Sequence, residues 1–219
     1  MSLGFILLIV ATLLIVFGVG QRVLDRMRLS DRMALLFIAG IFIGSLIPDI
    51  HLGSNFYINI GGAVIPIILS VYLFIKAGTA KEKIRAVAAA IAGGLIVFFG
   101  SWILPEEPEN MVFDPTYIFG ILAGLAAYIM GRSRRSAFIG GMMGVLLADL
   151  AQGIVNRAQG INNPIRFGGA GAMDAVILAG FIAVLLADLV GELRERFSKH
   201  KKEETLEYHD GEFMHKRGT

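Results

Sequence analysis

Cysteine is absent from this chain, and charged residues are scarce. Without cysteine the protein has no disulfide, no thiolate nucleophile and no cysteine-ligated metal. Asp, Glu, Lys and Arg make up 17% of the 219 residues, whereas hydrophobic residues make up 55%. The mean hydropathy is +0.68. Because soluble domains carry about a quarter charged residues, this composition predicts a protein embedded in a lipid bilayer.

The sequence also lacks the signatures of several functional classes. It has no Walker loop, no His-Glu-x-x-His pair and no serine nucleophile elbow. The formal net charge is only +2, and the basic residues lie in separate loops instead of one patch, so we expect no nucleic-acid partner. His200, His209 and His215 have irregular spacing near the C-terminus, so we expect neither a metal site nor a cofactor.

What the sequence does contain is a series of seven apolar stretches separated by short loops. A helix rises about 1.5 Å per residue and the hydrocarbon core of a bilayer is about 30 Å thick, so about 20 apolar residues can cross it. We therefore predict an all-α polytopic membrane helix bundle over residues 1–197 and a polar cytoplasmic tail over residues 198–219. The predicted transmembrane helices, of which the second and fifth are short, are residues 3–20, 33–48, 60–77, 86–104, 117–131, 137–155 and 170–190.

Lys and Arg accumulate in every second loop, which predicts the orientation. Basic residues follow the first, third, fifth and seventh spans, whereas loops 49–59 and 105–115 contain neither Lys nor Arg. Basic loops are retained on the cytoplasmic side during insertion. We therefore expect the N-terminus outside and the C-terminus inside.

An internal similarity links the second and sixth spans at an offset of one hundred residues. It predicts a parallel three-plus-one-plus-three repeat, with residues 3–77 and 117–190 as repeats and 86–104 as the linker helix, a plan found among transporters. Glycine faces on the helices are compatible with a homodimer. The aligned residues are Arg32, Gly40, Gly44, Leu46, Asp49 and Gly53 with Arg132, Gly140, Gly144, Leu146, Asp149 and Gly153.

Ionisable and polar residues within apolar helices mark the candidate binding site. Ionisable side chains are costly inside a membrane, which makes Asp149 and Asp174 functional candidates. Gln152 and Asn156 follow Asp149 at i+3 and i+7, on the same helix face. The alternative for Asp149 is a hydrogen bond to a neighbouring helix, and the alternative for Asp174 is a helix N-cap.

The loop before the seventh span adds two further candidates. Asn162 and Arg166 lie in a polar stretch that ends in glycines, and Arg166 with free backbone N–H groups could bind an anion or a carboxylate. The alternative is a structured turn without a ligand, because Asn-Asn-Pro is a turn signal.

Two segments resemble a known family of membrane proteins. Asn59-Ile-Gly-Gly-Ala-Val-Ile-Pro-Ile-Ile-Leu-Ser-Val-Tyr-Leu and Gly168-Gly-Ala-Gly-Ala-Met-Asp-Ala-Val resemble the prokaryotic multi-pass membrane family called domain of unknown function 1614. The resemblance covers the second to seventh spans. It implies a membrane location and no particular activity.

A fainter similarity points to intramembrane aspartyl proteases. That family carries one catalytic Asp on each of two consecutive helices, the second in Gly-x-Gly-Asp. Here the segment from Gly169 to Asp174 is two residues longer, and Ala148 instead of Tyr precedes Asp149. Both departures put the catalytic geometry in doubt.

Three functions follow as alternatives. A transporter in the lipid bilayer would bind a proton, a cation or a small polar solute at Asp149, Gln152, Asn156 and Asp174. An intramembrane protease would use Asp149 and Asp174 as coupled acid and base around one water. A membrane scaffold would need neither carboxylate. The separation of the two carboxylates discriminates between transport and proteolysis.

Overall fold

The computed structural model shows a helical protein with two small sheets. It describes residues 3–18, 20–53, 56–103, 115–161, 164–169, 175–204, 206–209 and 212–215. The helices are α1 (Leu3–Val16), α2 (Gln21–Met27), α3 (Asp31–Leu46), a π-helix (Ile60–Val64), α4 (Ile65–Ile75), α5 (Ala80–Ile103), α6 (Pro115–Gly131), α7 (Arg134–Ala158) and α8 (Ala175–Glu204). The strands are β1 (Ile50–His51), β2 (Phe56–Ile58), β3 (Ile165–Phe167), β4 (Leu206–His209) and β5 (Glu212–His215).

Helices α5, α6, α7 and α8 form the central bundle, and small residues let their backbones come close. A Cβ atom at Gly141 of α7 would lie 2.6 Å from the Ala179 carbonyl oxygen of α8. On the other side of α7, a Cβ atom at Gly144 would lie 3.1 Å from the Gly94 nitrogen of α5. Glycine therefore sets the interhelical distance, as is typical where lipid gives no hydrophobic drive for helices to associate.

The N-terminal helices pack against one side of this bundle. α1 contacts α3 and α8, and α4 contacts α7. α2 runs at 95° to α1 and covers the end of the bundle. Its own residues Leu24 and Met27 are buried against the bundle. α2 is therefore a short helix that lies across the bundle instead of continuing along it.

One end of the molecule gathers the Lys- and Arg-rich loops. We call it the basic end (residues 21–32, 76–85, 132–135 and 188–195). Arg26 pairs with Glu195, Arg134 with Asp188, and Arg135 with Glu82. The hydrogen bond to the Glu195 carboxylate raises the pKa of the Arg26 guanidinium above its usual value.

Arg135 is the central residue of the basic end, with 4% of its side chain exposed. It donates to the carbonyl oxygens of Met27 at 3.0 Å and Lys76 at 3.1 Å, and to the Glu82 carboxylate at 3.1 Å. A guanidinium presents five donors in a planar fork. One side chain thus joins α2, the end of α4, α5 and the first turn of α7.

The opposite end carries a three-stranded sheet, and we call it the sheet end (β1, β2, β3 and the adjoining residues Asp49, Asn59, Asp149, Gly168 and Gly169). β1 pairs with β2 antiparallel, and β2 pairs with β3 parallel. α3 ends at Leu46, because Pro48 disfavours helical dihedrals at the residue before it. The chain therefore leaves α3 extended and enters β1.

Three of the helices are long and apolar enough to cross a membrane within the part of the chain that the structure describes: Ala80–Ile103, Arg134–Ala158 and Ala175–Glu195. A fourth would be added if the bent pair α1 and α2 were one span. Each of the seven predicted apolar stretches falls largely on a helix. The helical fold is thus confirmed and is compatible with an integral membrane protein, but the two small sheets show that it is not purely α-helical. Seven spans, their orientation and the repeat stay predictions.

Two local features differ from simple expectations for the sequence. Pro66 lies in the middle of the third apolar stretch, where a kink is expected, but it occupies the first turn of α4 directly after the π-helix. The helical chain is continuous there, since the Ile65 N–H donates to the Ile60 carbonyl oxygen, and the missing N–H of Pro66 falls where π-helical bonding changes to α-helical bonding. The polar tail begins as a continuation of α8 and then forms the hairpin β4–β5, whose apolar and polar residues partly alternate.

Candidate functional site

Asp149 lies within α7 and faces the backbone at the sheet end. Its side chain is half-buried, and its Oδ2 accepts a hydrogen bond from the Gly168 N–H at 3.4 Å. Fifteen residues separate it from Arg134 at the start of α7, about 22 Å along the axis. The carboxylate therefore lies within a helix that is long and apolar enough to cross a membrane.

Gln152 and Asn156 lie on the same face of α7 as Asp149. The Gln152 side-chain amide donates to Asn156 Oδ1 at 2.9 Å. The Ser101 hydroxyl of α5 lies 3.5 Å from Gln152 Oε1. Three of the predicted site residues thus share one polar face of α7, which contacts α5 through Gln152 and the residue after β3 through Asp149.

A second polar group at the sheet end is built around Asn59, which was not among the site residues predicted from the sequence. Asn59 is 6% exposed. Its Oδ1 accepts from the Gly62 N–H at 2.8 Å, which caps the π-helix. Its Nδ2 donates to Asp49 Oδ1 at 2.9 Å. An Asn directly before an apolar helical stretch, as Asn59 is before Ile60, is an N-cap signal, and that signal could have identified this residue.

The two polar groups meet through close backbone contacts. The Asn59 N–H donates to the Phe167 carbonyl at 3.1 Å, next to Gly168. Gly168 has φ +75°, and a Cβ atom there would lie 2.5 Å from the Ala63 nitrogen. Only glycine fits both restrictions. Asp149 and Asp49 are thus connected through Gly168, the π-helix and Asn59.

The π-helix is itself an irregular segment packed inside the protein. Gly61, Gly62 and Ala63 are buried, and a Cβ atom at Gly61 would overlap the Ser45 hydroxyl and the Ile41 carbonyl of α3. Single π-turns occur frequently at functional sites. Irregular backbone at membrane depth is tolerated where it is buried in protein or lines a water-filled cavity.

The other three predicted site residues, Asn162, Arg166 and Asp174, are not seen to join these two polar groups in the described part of the chain. Arg166 lies on β3, exposed, and pairs in register with Tyr57 of β2. Asn162 and Asp174 lie outside the described residues, so the predicted pairing of Asp149 with Asp174 stays a prediction. Within the described ranges no three His, Asp or Glu side chains are grouped as metal ligands.

Fold and site together define a helical bundle, compatible with an integral membrane protein, that has an ionisable residue inside an apolar helix. A family model described as protein of unknown function (DUF1614) matches residues 15–186. The chain belongs to this family, which confirms the resemblance noted in the sequence. No curated protein and no solved structure matches the chain. The fainter similarity to intramembrane aspartyl proteases has no support from these comparisons.

Proposed function

We propose that the protein is an integral membrane protein that binds a proton or a small cation at Asp149 and carries it across the bilayer. The observation that carries this proposal is the position of Asp149: a half-buried carboxylate inside α7, beside the irregular backbone of Gly168. Ionisable residues within membrane helices commonly mark ion pathways and proton relays. Among the solutes predicted, a cation or a proton suits a carboxylate best.

Exposed apolar surface supports the membrane location. Ile91 of α5, Ile129 of α6, Ile154 of α7 and Leu185 of α8 are 51%, 62%, 63% and 52% exposed. Large apolar surfaces are rare on monomeric soluble proteins because contact with water is unfavourable. In lipid the same faces meet acyl chains.

The basic end supports the proposed orientation. Its four segments contain twelve Lys or Arg and six Asp or Glu, hence a net charge of +6. Under the positive-inside rule this end faces the cytoplasm. The sheet end, which contains Asp149, then lies towards the outer face. Each helix of a seven-span bundle would run between the two ends, and consecutive helices would run in opposite directions.

Two features favour the three-plus-one-plus-three repeat, and one does not. α3 and α7 both begin at the basic end, and the segments after them contribute β2 and β3, which pair in parallel. Asp49 lies beyond the end of α3, however, whereas Asp149 lies within α7. The repeat therefore fits the course of the chain better than the positions of the carboxylates.

Ion flux into proteoliposomes tests the proposal. Purified protein is reconstituted into vesicles that contain a dye sensitive to Na⁺, K⁺ or H⁺, and dye fluorescence is followed after a gradient of the same ion is imposed. We expect flux above that of empty vesicles and a decrease of at least about tenfold for Asp149→Asn, because the amide cannot carry the charge or the proton.

Asp25→Asn is the matched control, since it makes the same isosteric change at an exposed position of the basic end. It should leave flux unchanged, and circular dichroism should show that both variants are folded. Flux that equals that of empty vesicles for all three gradients, or equal flux for Asp149→Asn and wild type, would overturn the proposal. Proteolysis by Asp149 and Asp174 and a scaffold role stay alternatives, with no observation here that favours either.

A further inference from the structure

A cavity of about 150 Å³ lies between the N-terminal helices and the central bundle. It is bounded by α1, α2, α3, α4, α7 and α8, and every residue that lines it is apolar or glycine. It is separate from the sheet end, since Asp49, Asn59 and Asp149 do not line it. The cavity is therefore a second feature of the molecule that ion binding at Asp149 does not explain.

The size and shape of the cavity fit an extended apolar group. Cavities of about 150 Å³ lined by aliphatic and aromatic side chains stay dry and bind apolar molecules as large as benzene. Along α8 the lining runs from Leu185 to Ile177, about 12 Å at the rise of a helix. A chain that is longer than it is wide fills this space better than a compact ligand.

The cavity can be reached from the side of the bundle. Leu14 of α1 and Leu185 of α8 line it, and they are 40% and 52% exposed. In the bilayer proposed above, this opening between α1 and α8 faces lipid. An acyl chain can thus enter from the membrane without crossing a polar surface.

The charges beside the opening indicate the headgroup. Val23, Leu24 and Met27 of α2 close the cavity at the basic end. On the polar side of α2, the Arg22 side chain is 87% exposed and lies 3.7 Å from the Glu192 carboxylate, a loose contact. The basic end has a net charge of +6, and such clusters attract anionic headgroups at the membrane surface.

We propose that this cavity binds a segment of one acyl chain of an anionic phospholipid, whose phosphate group lies at the basic end beside Arg22. The proposal depends on the membrane location but not on ion binding at Asp149.

Native mass spectrometry of the detergent-solubilised protein tests this inference. Dioleoyl phosphatidylglycerol and dioleoyl phosphatidylcholine are titrated separately, and the fraction of protein with one bound lipid gives each affinity. We expect the anionic lipid to bind at least about tenfold more tightly. Asp149→Asn should bind both lipids as wild type does, which separates this test from that of the proposed function.

Two pairs of variants separate the roles of the chain and the headgroup. Ala11→Phe fills the cavity and should weaken both lipids about tenfold, whereas Leu13→Phe, on the same helix but outside the lining, should have no effect. Arg22→Gln should weaken only the anionic lipid. Arg157→Gln makes the same charge change in the last turn of α7, away from the basic end, and should leave the affinity for both lipids unchanged.

Circular dichroism should show that the variants are folded. Equal affinity for the two lipids, or unchanged binding by Ala11→Phe, would overturn the inference.

Discussion

Removal of the Arg135 side chain tests how α2, the end of α4, α5 and α7 are held together at the basic end. Arg135→Ala deletes a buried guanidinium that donates to the carbonyl oxygens of Met27 and Lys76 and to the Glu82 carboxylate. Those acceptors belong to three different segments, and Arg28 also donates to one of them, the Lys76 carbonyl oxygen, at 3.3 Å. The substitution therefore affects the docking of α2 and of α4 as well as the first turn of α5.

The expected loss of stability follows from burial. Removal of one partner from a buried ion pair costs about 3–5 kcal/mol, because the other charge stays desolvated. The Glu82 side chain is 20% exposed and keeps part of its hydration, so we expect the lower limit, about 3 kcal/mol. That value corresponds to more than a hundredfold in the unfolding equilibrium constant. Arg135→Lys keeps the charge but not the planar fork, and it should lie between alanine and wild type.

The assay is unfolding by sodium dodecyl sulfate in mixed micelles, followed by far-ultraviolet circular dichroism, with the free energy of unfolding compared between variants. Arg26→Ala is the control, since Arg26 and Glu195 form an exposed pair at the same end and exposed pairs contribute little. It should unfold almost as wild type does. Equal stability of Arg135→Ala and Arg26→Ala would refute the view that Arg135 joins these segments.

Two further substitutions probe the sheet end by the same unfolding assay. Gly168→Ala should cost more than about 2 kcal/mol, since a left-handed φ already costs about 1–2 kcal/mol and the new methyl would overlap the Ala63 nitrogen. Gly160→Ala changes a glycine with φ +74° and open space around it, so it should show the backbone cost alone. Equal losses of stability for Gly160→Ala and Gly168→Ala would argue against the close contact between Gly168 and Ala63. Asn59→Ala should cost about 1–3 kcal/mol because the buried Gly62 N–H loses its acceptor. Ser30→Ala, at the exposed N-cap of α3 with a 3.4 Å bond, should cost less, and the reverse order would contradict the capping role of Asn59.

Asp149 shows how much of the candidate site could be predicted from the sequence. An aspartate at i with Gln152 and Asn156 at i+3 and i+7 lies on one helix face by periodicity alone. In the structure Gln152 bonds to Asn156, and Asp149 accepts from the Gly168 N–H. The partner of Asp149 could not be predicted in the same way. Gly168 is nineteen residues away, beyond the end of the helix, so no helical spacing indicates the contact.

Asn59 shows what sequence reasoning missed. Its capping role is local and follows from the glycines after it, whereas its contacts with Asp49 and with Phe167 depend on the pairing of β2 with β3. β3 lies more than one hundred residues after β2. No local pattern specifies the register of two such short strands.

The sequence by itself determined the helical bundle, the family and the concentration of basic residues in alternate loops. These properties are encoded locally, because helix formation and partition into lipid depend on runs of about 20 neighbouring residues. Only the tertiary structure decided that Arg135 joins four segments, that the π-helix packs against Gly168, and that Asp149 faces the sheet end. Such contacts arise from packing between residues far apart in the chain, and glycine at the closest approaches permits them without specifying which helices meet.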